Sequence, residues 1–529
     1  MSKMLKSSGA LAAATLTSRI LGLVRETVYA AFMGTGWIAD AFMLAFAVPN
    51  LFRRLLGEGA LTAAFIPIFK EKEKLEGEVP MWKAANAVLC GLILGAALII
   101  LLGTVVILVC LNAGFIHSGK TLLMLELLLR MLPYVLLVCL AAVLMSMLNS
   151  RGHFFIPAIG ATMLNVVMIA SVLWLAPRLG QTLDRQIYGL AYGVVAAGII
   201  QALFQLPLLR SDGFRFQWIT PFRDETVRRV VRQMLPATVG VAAYQINVMF
   251  TQGLAFWVDQ GVVSSFQYAV RLMELPQGVF GLSMATYLLP TLSGFAAEKK
   301  YPEFRATLGQ GLGYLIFINL LASVLLLTLA EPIIRLLFER RAFTDVSTSR
   351  AALALGCLAP GLVAYSVVNI LARAFYALSD TKTPMKVSIF CLALNAALTL
   401  GLVWHYKQGG LGIANSISAM VNMSLLFIAL RKKLGTLEVT ELRQHLLSLL
   451  GAAVVAGAVA WGSVHLWSDH FGHATLWRRM GEVFLPMTLA TLAYMGIALW
   501  LRVPFIHELT AMLPRRFRRP PKGPPPAAN

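Results

Sequence analysis

The sequence predicts an all-α polytopic membrane protein of about fourteen transmembrane helices, arranged as two pseudo-symmetric six-helix lobes plus two C-terminal helices. Three observations predict it. Of 529 residues, 58% are hydrophobic and 13% charged, and the mean hydropathy is +0.73, which fits a chain dissolved in lipid and no soluble class. Apolar runs of about 20 residues, the length a helix needs to cross the hydrocarbon, recur about fourteen times. Prolines repeat in register: Pro133 with Pro360 and Pro157 with Pro384 are both 227 apart, and Pro67 with Pro290 nearly so.

In order, the runs centre near Leu21, Phe46, Ala97, Leu137, Val167, Val195, Asn247, Leu275, Leu321, Val367, Ala393, Ala419, Val455 and Ala493. Lys3 and Lys6 precede a first span too long and arginine-rich for a cleaved signal peptide, so it is expected to remain in the mature chain. The second and eighth runs are unusually long, and Pro49 and Pro276 should bend them. The segments "LPYVLLVCLAAVLMSMLNSRGHFFIP" and "APGLVAYSVVNILARAFYALSDTKTP" carry the matched prolines. An even number of spans separates the copies, so the lobes, 1–222 and 223–435, share one orientation. Residues 436–505 form two additional helices, the first rich in small residues ("LLGAAVVAGAVAWG") and suited to close packing or to bordering a lipid-tail groove. Residues 506–529 make a basic, proline-rich tail ("RRFRRPPKGPPPAAN") expected to lie near anionic headgroups. Clusters such as Lys70/Lys72/Lys74, Arg223/Arg228/Arg229 and Arg431/Lys432/Lys433 fall on one side of the alternation, which puts both termini in the cytoplasm.

The net charge of +20 is dispersed among short loops, which suits anionic membrane lipids and argues against nucleic acid. Cys90, Cys110, Cys139, Cys357 and Cys391 lie in apolar runs without CxxC spacing, so neither a disulfide framework nor a metal site is expected. The histidines are scattered and no HExxH or Walker pattern occurs, so no cofactor is called for.

Charge within the apolar runs carries the functional signal. At 100° per residue the first span gathers Ser18, Arg19, Arg25 and Glu26 into a stripe about 120° wide, with leucine, isoleucine and valine over the rest. The eighth span does the same with Ser264, Arg271 and Glu274, and the second spreads Asp40, Asn50, Arg53, Arg54 and Glu58 over about 140°. A central arginine facing lipid costs about 2.5 to 3.5 kcal/mol even on the gentlest insertion scale. Arg19, Arg25, Arg53 and Arg271 are therefore expected to face a common, hydrated interior. One reading pairs Arg25 with Glu26, Arg271 with Glu274, and Arg53 with Asp40 or Glu58, purely to lock helices. The other notes that arginines outnumber carboxylates at that depth, and that guanidinium forks match phosphate oxygens in pairs. Arg19, Arg25, Arg53 and Arg271, with Ser18, Asp40, Asn50 and Ser264, then bind an anionic, pyrophosphate-like substrate, and Glu26, Glu58 and Glu274 support them.

Three function classes remain open on the residues alone. A transporter follows from two lobes rocking about a charged site. A membrane-embedded enzyme acting on a lipid-linked phosphate would need an acid/base pair or metal carboxylates that the sequence does not offer. A passive scaffold would have no use for arginine stripes.

The stretches "SRILGLVRETVYAAFMG", "DAFMLAFAVPNLFRRLLGEGALTAAFIPIF", "YAVRLMELPQGVFGLSMATYLLPTLS", "LFERRAFT" and "AFYALSDTKTP" closely resemble the MurJ (MviN) family of lipid II flippases, within the multidrug/oligosaccharidyl-lipid/polysaccharide exporter superfamily. The resemblance runs from Leu5 to the fourteenth span. It implies a non-enzymatic flippase that carries lipid II, an undecaprenyl-pyrophosphate-linked peptidoglycan precursor, across the bacterial inner membrane through a cationic central cavity, with other cell-wall synthesis proteins as partners. Carried over by motif, the cavity residues are Arg19 and Arg25 of "SRILGLVR", Arg53 of "NLFRR", Arg271 of "RLMELP" and Asp40 of "DAF". A flippase for another undecaprenyl-linked saccharide is the alternative, and a drug exporter the next. Family members often carry aspartate where this chain has Glu26 and Val270; without the second carboxylate, Arg271 leans on Glu274 or on the ligand. The family's sodium site is not assigned here, because Asn247 and Asn395 come without a clear carboxylate.

Overall fold

A computed structural model describes residues 3–57, 60–114, 117–435, 437, 440–501 and 503. Among them there is no strand, and helices follow one another with short turns. In order they are α1 (Lys3–Met33), α2 (Trp37–Phe52), α3 (Ala60–Glu76), α4 (Glu78–Asn112), α5 (Gly119–Met131), α6 (Pro133–Ser150), α7 (Phe155–Ala170), α8 (Leu183–Leu203), α9 (Leu206–Ser211) and α10 (Glu225–Val258). Then come α11 (Val262–Pro276), α12 (Ser283–Ala297), α13 (Tyr301–Thr328), α14 (Ala330–Phe338), α15 (Asp345–Leu358), α16 (Leu362–Ala377), α17 (Lys382–Leu434), α18 (Thr440–Phe471) and α19 (Leu476–Trp500).

Ten helical stretches among the described residues are long and apolar enough to cross a membrane. The runs expected near Leu21, Phe46 and Asn247 are helical but not among the ten. They include the first two stripes; α2 is only 16 residues long before its π-helical turn, too short by itself to cross. One of the ten, α17, is 53 residues long and breaks at Lys407 (φ 50°), between the runs expected near Ala393 and Ala419. On α4, Leu98, Leu101, Leu102, Val105, Val106 and Val109 are exposed, as a lipid-facing surface requires.

Three π-helical turns directly follow α2, α7 and α11, at Arg53–Gly57, Ser171–Leu175 and Gln277–Leu282. The first lies just beyond Pro49 and the third directly after Pro276. Proline removes one N–H from the ladder and crowds the preceding turn, so a widened turn is a local way to resolve the misfit. Both long spans are thus irregular just beside their arginines.

The described chain forms two compact units. Unit 1 comprises Met1–Tyr268, Leu337–Ala351 and Ala396–Leu411; unit 2 comprises Ala269–Leu336, Ala352–Asn395 and Gly412–Asn529. In unit 1 a continuous core runs from Tyr29, Phe42 and Leu44 to Met131, Tyr134 and Leu190. There α8 approaches its neighbours so closely that a Cβ on Gly193 would stand 2.3 Å from the Ser171 hydroxyl, and one on Gly198 2.7 Å from the Tyr134 ring. In unit 2, α18 and α19 form an antiparallel pair, with Ala452, Ala453, Ala456 and Ala460 buried. The Tyr494 hydroxyl donates to the Phe317 carbonyl (3.0 Å), tying α19 to α13. Small residues let these backbones close up.

Candidate functional site

The first stripe lies along α1 in unit 1. Arg25 donates to the Glu26 carboxylate, and its guanidinium sits 5.4 Å over the Tyr29 ring. Both side chains are nearly buried, at 13% and 9% exposure. The Arg25 Nε is also buried and has no hydrogen-bond partner among the described residues. Ser18 contributes its carbonyl, which accepts from the buried Asn165 side chain of α7 (3.3 Å), and Arg19 is part-exposed beside it. On α2, the Arg53 Nε donates to Asn50 Oδ1 (2.9 Å) where the π-helical turn begins. Glu58 lies outside the described residues.

Asp40 is placed differently. Fully buried, it accepts from the Gly261 N–H (2.7 Å), the Ser264 N–H (2.8 Å) and the Ser264 hydroxyl (2.7 Å). These amides belong to the first turn of α11, so a carboxylate more than two hundred residues away in sequence caps that helix. Lys120, at the start of α5, is the complement. Its Nζ donates to the Phe256 carbonyl (2.7 Å) in the last turn of α10 and to the Asp259 carbonyl (3.2 Å), and pairs with Asp40 at 3.3 Å. A cation thus meets the negative end of α10 and an anion the positive end of α11, which fixes the turn between the two helices.

More contacts gather at this end of unit 1. The Thr35 hydroxyl donates to Ser347 (2.7 Å), the Ala342 N–H to the Ala31 carbonyl (3.2 Å), and Arg350 to the Gln260 carbonyl (2.8 Å). Lys407 pairs with Asp259 at 2.6 Å, and this hydrogen bond holds the Asp259 carboxyl below its ordinary range. Gly34, at φ +55°, allows the approach, since a Cβ there would lie 2.3 Å from the Ala342 carbonyl oxygen.

In unit 2, Arg271 pairs with Glu274 at 2.8 Å, with both side chains open to solvent, at 36% and 46% exposure. The two residues stand one turn apart on α11, just before Pro276 and its π-helical turn.

Of the residues singled out from sequence, the structure joins Asp40 with Ser264, Arg25 with Glu26, Arg53 with Asn50 and Arg271 with Glu274. Sequence reasoning missed Lys120 as the partner of Asp40. It also missed Glu482 of α19, which is 2% exposed and bound to Arg335 of α14 at 2.9 Å. A carboxylate inside an apolar run was the available signal for Glu482; nothing local marks Lys120. Chemically, the arginines present fixed positive charge and fork-shaped donors suited to phosphate or carboxylate oxygens. Among the described residues no group of three or more His, Cys, Asp or Glu side chains is placed to hold a metal ion.

A family sequence profile described as "Lipid II flippase MurJ" matches residues 29–480. A "Probable lipid II flippase MurJ" of Vibrio cholerae is 32% identical over 513 residues, covering 95% of each chain. A "Lipid II flippase MurJ" of Burkholderia cenocepacia is 32% identical over 460 residues, covering 85% of this chain and 88% of that one. Among solved structures, "Lipid II flippase MurJ, inward closed conformation" superposes with a TM-score of 0.74 at 23% identity, over 93% of this chain and 98% of that one. An inward-facing multidrug-resistance transporter of the MATE family follows at 0.64 and 16% identity, over 80% and 96%. At these identities the structural matches speak for the fold.

Proposed function

This chain belongs to the MurJ family, and from that premise we propose that it is a lipid II flippase, a multi-pass transporter of the bacterial inner membrane that moves its substrate from the inner to the outer leaflet by alternating access. The observation that carries the reading is the placement of arginines inside otherwise apolar helices: Arg19, Arg25 and Arg53 in unit 1 and Arg271 in unit 2. Their cost in lipid is offset if they replace water around a pyrophosphate. Ser18 and Asn50 stand beside them as further polar contacts, while Glu26 and Glu274 set their geometry.

Asp40 and Ser264 act in this scheme through closure. Fourteen spans with both termini in the cytoplasm put the Asp40 contacts at the outer end, where they seal the exit while substrate enters from inside. Separating them exposes the carboxylate and the first turn of α11 together, an exchange that hydration of the outer end makes good. The lobes that rock are the repeats 1–222 and 223–435. The two helices within 436–505 border the groove for the polyprenyl tail; the basic tail 506–529, expected near anionic lipids, lies outside the described residues. Other cell-wall synthesis proteins are further partners. Transport without covalent chemistry is the reading; a flippase for a different undecaprenyl-linked saccharide is the alternative.

An inside-negative potential favours outward movement of an anion by about 2.3 kcal/mol per charge per 100 mV. Collapsing the potential in vesicles is expected to slow outward flux; unchanged flux excludes that coupling. Substrate identity is tested by the outer-leaflet fraction of lipid II in cells depleted of the protein and then re-supplied with it. The fraction should collapse and recover. If it stays constant with no redundant transporter present, another lipid-linked saccharide is the substrate.

A further inference from the structure

At the same end of unit 1 as the Asp40 contacts lies a cavity of about 450 Å³. Trp37 from the start of α2 and Trp257 from the end of α10 form its aromatic walls, with Phe256, Lys120, Asp259 and Gln260 around them. The charges in this cavity are already answered by one another. Lys120 Nζ serves two carbonyls and Asp40, lies 4.2 Å over the Phe256 ring, and so has its three donors engaged. The Asp259 carboxylate holds Lys407 through one oxygen and the Gln260 N–H through the other.

What stays open is of another kind. Trp257 is 65% exposed and leaves its indole uncovered. The Gln260 side chain is exposed, and Ser118, although it stands at the N-cap of α5, makes no capping bond with its hydroxyl. An exposed indole face beside a neutral amide and a hydroxyl, with the two lining charges Lys120 and Asp259 each paired and Arg350 engaged at the Gln260 carbonyl, is not built around a small ion. It selects a neutral ring with one apolar face and many hydroxyls. We infer that this cavity is a saccharide-binding site, distinct from the arginine stripes.

Only the choice of an amino sugar as probe rests on the flippase reading. N-acetylglucosamine is titrated against the full-length protein in lipid nanodiscs and followed by saturation-transfer NMR. Saturable binding is expected in the wild type, at least fivefold weaker in Trp257→Ala and in Gln260→Ala, and unchanged in Trp500→Ala, whose side chain is exposed elsewhere in the chain. Both altered side chains are solvent-exposed, so the fold should survive either change. Absence of saturable binding, equal affinity in Trp257→Ala, or competitive displacement of the sugar by inorganic phosphate would each overturn the assignment. The readout needs no translocation: a protein that binds the sugar and does not flip lipid II keeps the site and loses the flippase reading, and the converse separates them the other way.

Discussion

Asp40 and Arg271 both sit within long, proline-bent spans, yet the structure treats them in opposite ways. Asp40 is fully buried, and its partners come from the starts of α5 and α11. Arg271 holds Glu274 one turn along its own helix, and the pair is only part-exposed. A buried charge satisfied by distant elements holds this closed arrangement together, and removing it leaves the amides at the start of α11 without their anion. A part-exposed pair on one helix contributes little to stability, and the substrate reading is what gives such a charge a use within an apolar span. Arg25 lies between these extremes, paired on its own helix but nearly buried.

The largest expected effect follows from the first half of this comparison. Asp40→Ala leaves Lys120 and the first amides of α11 without their anion, a loss of about 3–5 kcal/mol. Hydrogen exchange at Gly261 and Ser264 should accelerate strongly. Protection equal to wild type would show that the carboxylate does not hold this turn.

Arg25→Ala against Arg271→Ala sharpens the contrast. The first removes a nearly buried charge partner of Glu26 and should cost on the order of 3 kcal/mol; Glu26→Gln in the same chain should recover part of it. The second should change stability by less than about 1 kcal/mol. Thermal unfolding in detergent reads both, and equal losses would break the comparison. Gly34→Ala ranks next. Left-handed backbone costs a non-glycine residue about 1–2 kcal/mol, and the Ala342 carbonyl must also withdraw, so the cross-link between engineered cysteines at Thr35 and Ser347 should form more slowly.

The smallest effect is the pH response of Asp259. Its folded pKa is depressed by Lys407, so this pair's contribution is present above the ordinary carboxylate range and lost as pH falls through the lower, folded value. Because the pair is largely solvated, the loss should stay below about 1 kcal/mol and vanish in Lys407→Gln. The same comparison of acid melting curves applies to Asp380, held down to about 2 chiefly by its hydrogen bond with Lys433.

Much of the site was legible because charge inside a greasy helix is conspicuous, and helical periodicity sorts it onto faces. Arg19, Arg25 and Arg271 needed only that, and the pairings Arg25–Glu26 and Arg271–Glu274 are local enough to read by spacing. The capping of α11 by Asp40 was not legible, since no periodicity links positions so distant in sequence. Lys120 lies beyond the apolar runs, where no pattern ties it to Asp40. Pro49 and Pro276 announced irregular spans, but that the irregularity takes the form of π-helical turns depends on how neighbouring helices accept the misfit. The helix count shows the same limit: α1 and α10 are helical, while their apolar character alone is too diluted to mark them as spans.

The central claim is that the arginines handle the substrate's anionic group, and lipid II translocation in proteoliposomes by wild type, Arg271→Ala and Arg271→Lys tests it most directly. The account predicts that Arg271→Ala retains its melting temperature and loses at least tenfold in rate, with Arg271→Lys in between. Wild-type rates in a fully folded Arg271→Ala protein would contradict it.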